Sequence, residues 1–93
     1  MLSEMPIKME KVAKEKLDME ILRAAIIAEL DAINLYEQFA STTENKDLKK
    51  VLLEVAKEEK THVGEFQALL LKMDREQVEE MEKGGKEVEE LTK

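Results

Sequence analysis

Cysteine is absent from this 93-residue chain. Disulfides, thiolate metal sites and iron–sulfur clusters go with it. Tryptophan is absent too, and the only proline is Pro6. The only glycines are Gly64, Gly84 and Gly85. With so few breakers, almost nothing between Pro6 and Gly84 disfavours helix, and β-branched residues are scattered rather than alternating as in a strand. Long apolar runs are missing as well. None approaches the ~20 residues that span a bilayer, and no signal-peptide core opens the sequence. The chain reads as cytosolic, with no membrane partner. Positive charge is in short supply: 15 Lys and Arg stand against 22 Asp and Glu, for a net charge of -7. Phosphate binding needs clustered Lys and Arg, so a nucleic-acid partner is excluded. Histidine occurs once, as His62. The metal ligands that remain are carboxylates and one imidazole.

A chain of this length forms one domain with a limited core. With disulfides excluded, a metal or further copies of the chain are the remaining ways to stabilise it. The sequence predicts an N-terminal arm over 1–11 and a first helix over 13–41. A turn at Ser-Thr-Thr-Glu-Asn-Lys-Asp comes next, then a second helix over 46–73, capped by Asn45 or Asp47. Asp74 caps a short third helix over 75–83, which Gly84-Gly85 ends. Residues 86–93 form a tail of one or two further turns or fraying chain. The expected class is all-α: an antiparallel two-helix hairpin plus a short C-terminal helix.

Apolar spacing carries the strongest signal. Leu48, Leu52, Val55, Glu59, His62, Phe66, Leu69 and Met73 succeed one another in alternating steps of four and three. That is a heptad seam, and Glu59 and His62 interrupt it. In the first helix Met19, Leu22, Ile26, Glu29, Ile33, Tyr36 and Ala40 form a similar seam, with Glu29 as the charged exception. A second stripe of Ile21, Ala25, Ala28, Ala32, Leu35 and Phe39 runs beside it. Only Arg23, Glu29, Asp31 and Asn34 are polar between Ile21 and Tyr36. A surface helix needs one apolar face. This one has more than a hairpin can cover, which predicts more than one interface with other copies.

Position 44 is midway between Glu29 and Glu59 and lies in the turn. In an antiparallel hairpin both acids therefore stand about 22 Å from the turn, at ~1.5 Å per residue. Glu59 and His62 form an E-x-x-H, whose spacing puts both on one helical face. Tyr36 is two turns along from Glu29 on its face. A buried carboxylate costs several kcal/mol unless it is paired, and neither seam offers a Lys or Arg at this level. Two Glu and one His suit iron, with manganese or zinc as substitutes. One chain supplies three ligands. Ferritin-like di-iron bundles use a Glu from each of two helices and an E-x-x-H from each of the other two. Two hairpins about a two-fold axis, dimerising into a ferritin-like four-helix bundle, supply that set.

Plainer readings exist for each residue. His62 taken alone is most simply a helical histidine with a satisfied hydrogen bond. Tyr36 is most simply a core tyrosine, and Ala25, Ala28 and Ala32 a close-contact surface. The acids Glu79, Glu80, Glu82, Glu87, Glu89 and Glu90 read as a solvated face. Glu29, Glu59 and His62 together also suit a non-enzymatic helical assembly module, in which a buried polar layer fixes register.

The segment from Ala28 to Gln38 (A-E-L-D-A-I-N-L-Y-E-Q), together with Glu58-Glu59-Lys60-Thr61-His62, resembles the encapsulated ferritins. These are cargo proteins of encapsulin shells, or domains fused to the shell protein. The resemblance runs over about residues 18–85, including the Lys-Gly-Gly near the end. It implies a ferroxidase that oxidises Fe(II) to Fe(III), with iron held by Glu29, Glu59 and His62 at a dimer interface and Tyr36 beside them. It also implies a ring of five dimers and a cytoplasmic location inside an encapsulin compartment. Asp31 matches an acid that some members carry near the ring's inner opening, and Ala28 stands where another member has an acid. A C-terminal shell-targeting peptide, common in stand-alone members, is not visible after Leu91-Thr92-Lys93. A rubrerythrin-type peroxide reductase is the enzymatic alternative, although such proteins usually add a cysteine-bound iron.

Overall fold

Two long helices lie side by side and a third leaves them at a corner. The computed structural model describes residues 16–93. Helix α1 spans Leu17–Thr42, α2 spans Lys46–Met73 and α3 spans Arg75–Leu91. The described residues contain no strand. The class is all-α, an antiparallel α1–α2 hairpin with α3 after it. The expected arm over 1–11, and residues 13–15 of the expected first helix, lie outside the described residues.

The hairpin turn is three residues, Thr43 to Asn45, and its geometry comes from side chains that bond to nearby backbone. Ser41 Oγ and Thr42 Oγ1 both donate to the Gln38 carbonyl, at 2.8 and 2.9 Å, and so close the last turn of α1. The Asn45 N–H donates to Thr43 Oγ1 at 3.1 Å. Asn45 then caps α2: its Oδ1 accepts from the Leu48 N–H at 2.9 Å, satisfying one of the orphan donors of a helix N-terminus. Asp74 does the same for α3, accepting from the Gln77 N–H at 3.1 Å.

The core is thin. Leu22, Ala24, Ile33 and Ala40 of α1 are buried, as are Ala56 and Leu70 of α2, and no large side chain among the described residues is fully enclosed. The predicted α1 seam thus keeps Leu22, Ile33 and Ala40 at its centre. The α2 seam needs correction. Its buried line passes through Ala56 and Leu70, with Leu52, Glu59, Val63 and Phe66 half-buried between and beside them. Leu48, Leu69 and Met73 are exposed. Two heptad lines run one residue apart on this helix, and α1 takes the one with small Ala56, which lets the backbones approach. Of the neighbouring line, Leu48 and Leu69 are exposed, and Val55 and His62 are half-buried.

Helix α3 is also longer than expected. It continues through Gly84-Gly85 to Leu91. A glycine stop needs a left-handed residue after the helix, and none of the described glycines has positive φ. Each glycine costs about 1 kcal/mol relative to alanine in a helix interior. Against that, Glu79 and Lys83, Glu82 and Lys86, and Lys86 and Glu90 stand four apart, a spacing that supports helix. Val78, Met81, Gly85 and Val88 also keep one apolar stripe running across the glycines. The expected tail over 86–93 is therefore helical as far as Leu91.

Candidate metal centre

Glu29 is on α1, and Glu59 and His62 are on α2, at the level set by the turn midway between them. The structure brings all three together. His62 Nδ1 is 3.3 Å from Glu29 Oε2 and 3.4 Å from Glu59 Oε2. One ligand atom from each residue lies within 4.8 Å of the other two. Among the described residues, no other group of three or more acids and histidines converges in this way.

Within the described residues, no Lys or Arg compensates the two acids. The Glu29 and Glu59 side chains are 20% and 18% exposed, so water screens them only in part. Among the described residues, no Lys or Arg pairs with either. Lys60, next to Glu59 in sequence, turns away and pairs with Glu37 at 3.1 Å on the outer surface. A single imidazole nitrogen faces both carboxylates, and one N–H cannot serve two acceptors well. Metal–ligand bonds of about 2.1 Å place neighbouring ligands roughly 3 Å apart. The observed separations and the oxygen–nitrogen donor set therefore fit a shared divalent ion.

The site is open on one side. The His62 side chain is 43% exposed. Tyr36 is half-buried on α1, two turns from Glu29. Asp31 is half-buried and does not join the cluster. Sequence spacing places Glu59 and His62 in one heptad seam of α2, and both are half-buried in the structure.

A crystal structure of the encapsulated ferritin domain from Pyrococcus furiosus superposes with a TM-score of 0.84 at 58% identity, covering 98% of this chain and 95% of that one. The chain belongs to the encapsulated ferritin family. The rubrerythrin family model matches it over residues 20–93, which places the encapsulated ferritin hairpin within that broader group. Two curated relatives agree. A ferritin-like–encapsulin shell fusion protein of Pyrococcus furiosus is 66% identical over 79 residues, covering 85% of this chain and 23% of that protein. The encapsulin nanocompartment cargo protein EncC of Myxococcus xanthus is 41% identical over 69 residues, covering 71% of this chain and 53% of that protein. The chain thus spans about a quarter and about half of the lengths of these relatives.

Proposed function

We propose that this encapsulated ferritin is a ferroxidase whose site is completed by a second copy of the chain. One observation carries the reading: two poorly hydrated carboxylates and the sole imidazole converge, with no Lys or Arg among the described residues to balance them. Fe(II) is the substrate. Glu29, Glu59 and His62 bind it, and the same three residues of a two-fold related copy complete the set. Glu59 bridges the two metal positions. Tyr36 stands beside the ligands. The residues fix the ligand positions and leave room for the oxidant. Two Fe(II) supply two electrons. With two protons these reduce one peroxide to two waters, or one dioxygen to peroxide.

Several features support the dimer. Leu48 and Leu69 are exposed apolar side chains on the same heptad line as the part-exposed ligand His62, so a partner that covers them also closes the site. The thin core gives the hairpin a reason to associate. The second stripe on α1 has exposed ends at Ile21 and Phe39, which leaves a surface for further contacts and for a ring of five dimers. By its match to an acid near the ring's inner opening in other members, Asp31 is the residue we assign to metal entry in such a ring. A dimer or ring of so small a chain encloses no mineral store. One relative is named as a ferritin-like–encapsulin shell fusion and the other as an encapsulin nanocompartment cargo protein, so the reading extends to an encapsulin partner and to iron storage inside that compartment in the cytoplasm. Among the described residues no helix is long and apolar enough to cross a membrane.

The test is aerobic Fe(II) oxidation measured by absorbance. The parent oxidises iron, and Glu29→Ala and His62→Ala lose at least tenfold in rate. Variants as fast as the parent would overturn the site. The rubrerythrin family match also favours a trial of peroxide as oxidant. Steady peroxide turnover with an external reductant, without accumulation of Fe(III), would make the chain a peroxide reductase instead.

A further inference from the structure

One residue joins α2 to α3, and it holds three elements at once. Asp74 stands between the last residue of α2 and the first of α3, with φ -115° and ψ 89°. Its N–H donates to the Leu70 carbonyl at 2.9 Å, ending α2. Its Oδ1 accepts from the Gln77 N–H at 3.1 Å, starting α3. Its Oδ2 accepts from Arg23 Nη2 at 2.7 Å, reaching α1 across 51 positions of sequence.

Little else holds α3. The helix contributes no buried residue; of its apolar side chains Val78 is half-buried, and Met81, Val88 and Leu91 are exposed. Gln67 Nε2 and Met81 Sδ approach only to 4.0 Å. Both partners of Asp74 also wall an apolar groove of about 410 Å³, with Arg23, Ile26 and Ile27 on one side and Gln77 and Met81 on the other. Gln67 and Leu70 form its floor. A one-residue joint has two free torsions, so a side chain tied at both oxygens restrains the whole hinge.

We infer that Asp74 is a positioning residue: clamped between Arg23 and the first turn of α3, it sets the angle at which α3 leaves the hairpin and the width of the groove between them. Exposed ion pairs usually contribute little, because two long side chains must be ordered to form them. Arg23 is long and 46% exposed, but its partner differs on both counts. Asp74 is short, only 14% exposed and already held by its cap. The bond is short and charge-assisted, which is the strong kind.

The chain has no cysteine, so its geometry can be read cleanly with introduced labels. Cysteines at Glu44, in the hairpin turn, and Thr92, at the end of α3, carry a spin-label pair. The labelled chain is diluted with unlabelled chain in the assembled protein, and the distance distribution is measured by pulsed electron resonance. The parent gives one narrow distance. Arg23→Gln widens the distribution at least twofold with helix content unchanged by circular dichroism. Asp74→Asn, whose amide oxygen still accepts from Gln77, also widens it, because the charge that Arg23 needs is gone. Arg23→Lys, which keeps the charge without the planar fork, falls between and covers the case in which Arg23→Gln does not fold. A distribution that stays as narrow as the parent's in the folded variants overturns the proposal, since α3 would then be held by other contacts.

Discussion

His62 Nδ1 lies 3.3 Å from Glu29 Oε2, a residue 33 positions earlier on the other arm of the hairpin. Glu59 approaches the same nitrogen from one turn away on its own helix, at 3.4 Å. The cluster therefore depends on the hairpin being closed in the correct register. A slip of one helical turn would separate Glu29 from His62 by about 5.4 Å along the axis.

The first expectation concerns Glu59. A carboxylate kept for metal and not for folding is a burden on the metal-free chain. Glu59→Leu should abolish iron oxidation while leaving the metal-free protein as stable as the parent or up to about 1 kcal/mol more stable. Chemical denaturation with chelator present measures this. A loss of stability together with a change in oligomer size would instead mark Glu59 as part of a structural polar layer.

Metal should promote association, because the proposed site spans two chains. Adding Fe(II) anaerobically, or Co(II) or Zn(II), should shift the sedimentation profile toward dimers or larger species, and chelator should reverse it. At 100 times the dissociation constant the linkage is worth about 2.7 kcal/mol. A profile indifferent to metal and chelator counts against the shared site.

The Asn45 cap is a purely structural contact. Asn45→Ala removes the acceptor for the Leu48 N–H and should cost about 1 kcal/mol of stability, within the usual range for a lost N-cap. Thermal melts at fixed protein and metal concentration read it. Iron oxidation below the midpoint should be unaffected, since Asn45 is in the turn, well away from the ligands.

Acid should act at Asp74. The Gln77 N–H, and then Arg23, hold its carboxyl below the ordinary aspartate value near 3.8. A lowered folded value means the ionised form is favoured by folding. The stabilisation is complete above the ordinary value and is lost as pH falls through the lowered one. The parent's stability should therefore drop below about pH 3.8 more steeply than that of Asp74→Asn, whose side chain does not titrate. Parallel curves for the two proteins across that window would remove Asp74 as a cause of acid sensitivity.

Gly84 and Gly85 sit inside α3 with open space where a Cβ would go and with helical backbone. Gly84→Ala and Gly85→Ala should each stabilise the helix by up to about 1 kcal/mol. Slower amide exchange between Met81 and Val88 would report it. Faster exchange would mean the space is taken by another copy.

Much of this protein is legible in its sequence. The lack of breakers and the steps of three and four specify helices. Asn45 and Asp74 announce α2 and α3 because their oxygens match orphan N–H groups at the required spacing. The level pairing of Glu29 with Glu59 is fixed by the position of the turn. Other points are not legible there. Gly84-Gly85 looks like a stop, yet a glycine ends a helix only when the chain takes a positive φ there, and that depends on the residues beyond it. Two adjacent heptad lines on α2 fit the steps of four and three equally well, and only the packing shows that Ala56 and Leu70 are its buried residues.

The sequence by itself determined that this chain is helical, that it forms a hairpin, and which three polar residues share one level, because those depend on local propensity and a fixed rise per residue. Tertiary structure alone decided which face of α2 meets α1, and so left His62 at the open edge where a second copy can reach it. It also decided the Arg23–Asp74 bond. Contacts between residues far apart in sequence depend on how the helices rotate about their axes, and no local pattern encodes that rotation.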